Sequence, residues 1–180
     1  MNDLTGLNDQ HDDVIETSFS SIRPVANGTE AGKVSDFLLS EHCFDDQRFT
    51  PGETEQLQWL PIRSLQEKHV FCWFEAEAGE IISAIIFMEN EHRSGGYRLE
   101  YFGVHRNYRH RKLGYKLLQA MFQFCKSRKG RYVETFTCDL PEYASARQLF
   151  KRNDFQFMCH LPDYYYAGEG KLVYMKMLDG

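Results

Sequence analysis

From Val70 to Val104 the chain reads as three strand-like runs, Val70–Glu77, Glu80–Met88 and Tyr97–Val104, separated only by short turns. Ala78-Gly79 marks the first turn, and Arg93-Ser94-Gly95-Gly96 marks the second. Connections this short cannot carry the chain across a sheet to a parallel position, so successive runs must pair antiparallel as a meander. That requirement fixes the centre of the fold. It is a sheet, and whatever is helical must pack on its faces.

Helical spacing appears on both sides of this block. Ala31, Val34, Phe37 and Leu38 share one face of a helix over Thr29–Leu39, and Glu53–Leu65 predicts a second helix that Pro61 should interrupt. Downstream, Leu113, Leu117, Leu118, Met121, Phe122 and Cys125 keep helical spacing until Gly130 stops it. Tyr143–Arg152 reads as an amphipathic helix with Ala146, Leu149 and Phe150 inward. Ser21–Val25, Tyr132–Thr137, Phe155–Cys159 and Leu172–Met177 read as strands. The order β-α-α-β-β-β-α-β-α-β-β predicts an α/β (α+β) fold built on a mixed sheet.

Residues 1–19 are polar and lack apolar periodicity, so they are expected to form a flexible tail before a single domain over residues 20–180. The five cysteines are odd in number, scattered, and contain no C-x-x-C pair. That usage suits reduced thiols in the cytoplasm better than a disulfide frame or a metal site, so no metal is expected. No apolar run is long enough to span a bilayer, and the N-terminus has no signal-peptide pattern.

The sharpest local anomaly is VHRNYRHRKLGYKLL, residues 104–118, in a chain of net charge −5. Arg106, Arg109, His110, Arg111 and Lys112 crowd the point where a strand ends and a helix begins. The first amides of a helix have no internal partners, and the helix dipole adds positive character there. Such an elbow binds phosphate, and neighbouring guanidinium and ammonium groups add charge-assisted donors. The alternative is plain surface charge. Basic residues oppose the dipole at a helix N-terminus, which counts against that alternative. Gly114, lacking a Cβ, admits a ligand or a neighbouring backbone.

The run YRLEYFGVHRNYRHRKLGYKLL resembles the acetyl-coenzyme A motif of the GNAT superfamily of N-acetyltransferases, in which a strand ending in Val precedes Gln/Arg-x-x-Gly-x-Gly/Ala and a helix. Val104, Arg109 and Gly114 match that motif, and Lys112 stands where its first glycine usually lies. YASARQLFKRNDF, residues 143–155, is similar to the family's downstream motif, with Ala146, Leu149 and Phe155 matching and Phe150 in place of a tyrosine. The resemblance implies a largely antiparallel mixed sheet of about six or seven strands flanked by about four helices. It implies acetyl-coenzyme A as co-substrate, with pantetheine along Phe102, Gly103 and Val104. The pyrophosphate would then lie on the amides of Arg109, His110, Arg111, Lys112, Leu113 and Gly114, with Tyr115 also in the cofactor site.

Freeing the lone pair of a lysine-like amine at pH 7 costs roughly 4–5 kcal/mol, whereas releasing a cysteine-like thiolate costs about 2 kcal/mol. A base therefore matters more than an acid. The resemblance points to Glu100, which interrupts an apolar run; the alternatives are a solvent-facing carboxylate or one paired near Arg98. Because Phe150 cannot protonate a thiolate, either the thiolate leaves unassisted or a water or another hydroxyl serves, with Tyr143 and the cluster Tyr164-Tyr165-Tyr166 as candidates. The oxyanion donor is expected near Phe102–Val104, with Gly103 easing a bulge there, and His105 is expected on the surface. The acceptor is expected to be a primary amine of a small molecule or peptide, with Glu41, Asp45, Asp46, Glu53 and Glu55 supplying an acidic rim. A coenzyme sensor without turnover is the runner-up. A nucleic-acid module is disfavoured because the basic cluster stands alone in an acidic chain. No membrane partner is expected, and a homodimer is left open.

Overall fold

The computed structural model describes residues 21–178 of the 180-residue chain. The tail expected over residues 1–19 lies outside the described residues. Seven strands form one sheet in the order β1-β2-β3-β4-β5-β7-β6. They are β1 (Arg23–Pro24), β2 (Val70–Glu77), β3 (Glu80–Glu89), β4 (Gly96–Val104), β5 (Tyr132–Cys138), β6 (Gln156–Tyr166) and β7 (Glu169–Met177). Four helices flank it: α1 (Gly28–Leu39), α2 (Pro51–Gln66), α3 (Leu113–Ser127) and α4 (Ala144–Arg152). The expected meander is β2-β3-β4, antiparallel throughout, and β4–β5 is the one parallel pair among the described strands.

Both faces of the sheet are covered, and β3 shows how. Ala84 and Ile86 point into a cluster with Val34, Leu38 and Leu57 of α1 and α2. Ile85 and Phe87 point the other way, onto Leu117, Leu118 and Met121 of α3. A strand buried on both sides loses the polar alternation of a half-exposed one and becomes a continuous apolar run.

Three sequence expectations need correction. Pro61 does not interrupt α2, which runs unbroken from Pro51 to Gln66. A capping box between Thr50 and Glu53 fastens its start, and Leu57, Leu60 and Pro61 are buried along one face. Packing therefore offsets the single bond a proline removes. The opening strand shrinks from Ser21–Val25 to Arg23–Pro24. The strand predicted over Phe155–Cys159 continues to Tyr166, through Pro162, which an edge strand tolerates because its outward N–H has no partner to lose.

The parallel pairing of β4 with β5 is short. Gly96–Leu99 pair with Tyr132–Thr135, after which β4 stays with β3 while β5 stays with β7 as far as Cys138. The sheet thus splits into a wedge whose open end faces the start of α3. In the same place β4 carries a bulge. Tyr101 faces Ile86 and Leu99 faces Phe87, so Glu100 is the extra residue. The bulge was expected nearer Gly103, whose missing Cβ serves another purpose: a methyl there would lie 2.1 Å from Cys43 Sγ. Gly103 makes room for the loop after α1.

Candidate functional site

The wedge opens into a cavity of about 880 Å³, lined by β4 from Glu100 to Val104, β5 from Thr135 to Cys138, the elbow, the loop after α1, and α4. A volume of this size is ordinary for a small-molecule site. On its β5 side, the β4 wall presents backbone that pairs with no neighbouring strand beyond Leu99. His105 donates its N–H to Ile82 of β3, so by alternation Gly103 and Tyr101 also face β3 while the polar groups of Phe102 and Val104 face the cleft.

At the elbow, a short 3₁₀ turn, Arg106–Tyr108, leads to α3, which has no side-chain cap. His110 and Lys112 hold left-handed conformations at φ 66° and 61°. Lys112 therefore adopts the geometry that glycine would take without cost. Gly114 is needed for packing: a methyl there would meet Leu149 Cδ2 at 3.2 Å, with Phe102 and Val104 close behind. Its absence lets α3 lie directly on β4.

The basic cluster divides by partner. Arg109 donates both bonds of one nitrogen to Asp45, at 2.9 and 2.8 Å, and a third bond to the Cys43 carbonyl at 2.9 Å. Arg106 approaches the same carboxylate at 3.6 Å. Arg111 turns away to Glu77 and the Tyr108 ring, and neither it nor Arg106 lines the cavity, unlike Arg109, His110 and Lys112–Tyr115. Lys112 forms no ion pair among the described residues. The elbow offers the cavity free amides and Lys112 rather than a ring of arginines.

Glu100 and Tyr143 both line the cavity. The Glu100 side chain is 6 % exposed and accepts a hydrogen bond from Arg98 Nε. Burial pushes its carboxyl above the usual range, and the Arg98 charge only partly opposes this. Tyr143 is held protonated by burial and by nearby Asp46. Of the tyrosine cluster, Tyr165 lines the cavity, whereas Tyr164 and Tyr166 are exposed. Phe150 is buried, its ring packed among Phe102, Phe155 and Tyr174.

The acidic rim expected from sequence is largely spent. Glu41 and Glu55 lie off the cavity, Asp45 is taken by Arg109, Arg48 chelates Asp46 at 3.1 and 3.0 Å, and Glu53 completes the α2 capping box. Sequence reasoning missed Glu169, a buried carboxylate at the start of β7 that lines the cavity and accepts from Cys138 Sγ at 3.5 Å. The Cys138 thiol is pushed up to about 11, first by burial, so it stays a protonated donor rather than a nucleophile. The expectation for His105 also fails. It is buried, stacked on His42 and Phe37, and its Nδ1 accepts from the Asn107 amide to shape the elbow.

This wedge-and-helix architecture is that of a class of known acetyltransferase structures. Over 88 % of its length the chain superimposes on 98 % of a GNAT-family protein from Desulfovibrio desulfuricans, at 23 % identity and a TM-score of 0.75. It is similar over the same share to 94 % of the ribosomal-protein-S18-alanine N-acetyltransferase of Escherichia coli (14 % identity, TM-score 0.68). The same holds for 97 % of the aminoglycoside 6′-N-acetyltransferase of Enterococcus faecium (13 % identity, TM-score 0.67). No curated protein sequence matches. The profile of the acetyltransferase (GNAT) family matches residues 37–155, and the chain belongs to that family. It is a transferase by that membership.

Proposed function

We propose that the chain moves an acetyl group from acetyl-coenzyme A to a primary amine of a small molecule or peptide, by direct attack within a ternary complex. The carrying observation is the wedge itself: cleft-facing backbone at Phe102 and Val104 leads straight to uncapped amides at the start of α3, with Glu100 buried alongside. Pantetheine pairs with that backbone as an added strand, and the pyrophosphate sits on the amides of Lys112–Gly114. Two similar structures, an aminoglycoside 6′-N-acetyltransferase and a streptothricin acetyltransferase from Bacillus anthracis, were solved with coenzyme A and acetyl-coenzyme A respectively. The unpaired cysteines suit the cytoplasm.

Glu100 takes the ammonium proton, directly or through a water, and burial raises its affinity for protons above that of an ordinary glutamate, the direction a base needs. Tyr143, whose side chain lines the cavity, donates to the departing sulfur, the role Phe150 cannot fill. The protonated Cys138 thiol argues against a covalent acetyl-cysteine route. Glu169, the buried carboxylate of the cavity wall, favours a cationic acceptor.

Thermal denaturation tests the coenzyme site first. Acetyl-coenzyme A at about a hundred times its dissociation constant should raise Tm by roughly 5–10 °C, and single-stranded RNA should not. Thiol release with a panel of amines and N-terminal peptides then tests turnover. An unmoved Tm, or coenzyme binding without thiol release for any amine, would end the proposal; the latter result describes a sensor.

Lys112→Gly separates conformation from charge at the elbow. Relief of the left-handed strain should raise the stability of the free protein by about 0.5–1 kcal/mol. Loss of the ammonium should weaken coenzyme binding and flatten its salt dependence. Calorimetry at two ionic strengths reads both effects.

A further inference from the structure

We infer that His105 is a positioning residue of the coenzyme site and that it serves only as the neutral imidazole, so that acid loosens the coenzyme's hold. The inference rests on the proposal that coenzyme binds the elbow. His105 is 3 % exposed, yet no step of the proposed transfer uses it. Its backbone N–H donates to the Ile82 carbonyl of β3, which fastens the residue to the sheet where β4 ends. From that anchor the side chain reaches forward. The Asn107 N–H donates to His105 Nδ1 at 3.2 Å, and the Tyr108 N–H donates to the His105 carbonyl at 2.8 Å. The imidazole thus caps the 3₁₀ turn Arg106–Tyr108, through which the chain passes to the amides of Lys112–Gly114. Because α3 has no side-chain cap, the aim of those amides depends on the turn before them.

An imidazole nitrogen that accepts a hydrogen bond carries no proton. The neutral ring therefore holds its proton on Nε2, which is buried without an aligned acceptor and has Glu80 Oε1 3.4 Å away. A second proton puts an N–H at Nδ1, against the Asn107 N–H. Two donors then face each other and the cap is lost. Turning the ring over brings a carbon-bound hydrogen to the same place, which accepts no better. His42 and Phe37 stack on the ring, with centroids at 4.9 and 6.2 Å, and Tyr108 meets its edge. The charges around it are divided. Glu80 of β3 and Asp36 of α1 favour the second proton, whereas Lys33 of α1 and His42 of the following loop oppose it; all four line one small cavity with the ring. The Tyr108 hydroxyl donates to the other Glu80 oxygen at 3.5 Å, and Arg106 and Arg111 are turned to Asp45 and Glu77. With these charges two against two, the cap decides the sign: the elbow that holds coenzyme is the one whose His105 lacks the second proton.

Calorimetric titration of the full chain with coenzyme A at about pH 8 and about pH 5.5 spans the range in which a histidine changes charge. His105→Asn keeps an acceptor for the amide two residues on, as an Asx-turn, and does not titrate. His105→Phe keeps a ring in the stack and offers no acceptor. At the higher pH, His105→Phe should bind about five- to tenfold more weakly than wild type, the loss of one backbone bond, and His105→Asn should recover most of that. On acidification the affinity of wild type relative to His105→Asn should fall about tenfold, and so should its affinity relative to His105→Phe. His42, His110 and the coenzyme phosphates titrate in all three proteins and cancel in these ratios. Ratios that stay constant with pH overturn the inference, as does His105→Phe binding as tightly as wild type at pH 8. In either case the coenzyme site itself stands. Wild-type protein that binds no coenzyme at either pH ends both proposals together.

Discussion

Glu100→Gln should lower kcat for amine acetylation by about 10²–10⁴-fold, the range expected for a positioned base. Coenzyme affinity should be unchanged, since the Glu100 side chain pairs with Arg98 and stands before the stretch that meets the coenzyme. The wild-type pH profile should rise through a limb displaced above an ordinary glutamate, because burial disfavours the charged form. In the variant that limb should vanish. Stability provides a second reading of the same group. A carboxyl whose folded value is raised binds more protons folded than unfolded between the two values. Wild-type stability should therefore fall as pH rises from the unfolded glutamate value through the folded one. Glu100→Gln should remove that slope. Equal turnover at matched pH would eliminate Glu100 as the base, whereas a lost stability slope with full turnover would leave it a buried ion pair and nothing more.

The placement of this carboxylate shows what a one-dimensional reading reaches. Its apolar flanks, Leu99 and Tyr101–Val104, announce burial, and the two turns announce the meander, because strand periodicity and turn chemistry are local. The bulge that turns Glu100 into the wedge is not local. It depends on register against Ile86 and Phe87 across the turn, and sequence placed it nearer Gly103. The elbow repeats the lesson. Its charge was evident, but its partners were not, since Asp45 lies 64 residues before Arg109 and Glu77 lies 34 before Arg111. The same distance hid the burial of His105 against Phe37 and His42, and the approach of Glu169 to Cys138. Pro61 misled for the opposite reason: a local helix-breaking rule gave way to a buried face.

Arg109→Ala should destabilise the free protein by about 2 kcal/mol and lower its Tm by roughly 4–8 °C. In the family's motif this arginine reads as a phosphate ligand, and a residue serving only that purpose would leave the unliganded protein unaffected. The guanidinium is instead committed to Asp45, to the Cys43 carbonyl and, at 3.5 Å, to the Val104 carbonyl. Those bonds fasten the loop after α1, which supplies Cys43–Asp46 and Arg48 to the cavity wall, onto the end of β4. Removing the fork leaves Asp45 with Arg106 at 3.6 Å as its remaining cation, so the loss is partial. Arg109→Lys keeps the charge without the planar fork and should recover less than half of the Tm. On the proposed reading, in which this loop walls the amine and the elbow amides hold the coenzyme, KM for the amine should rise more than KM for the coenzyme. The reverse ranking, with an unchanged Tm, would mean that the guanidinium leaves Asp45 when coenzyme arrives and that its bonds in the free protein are a resting position.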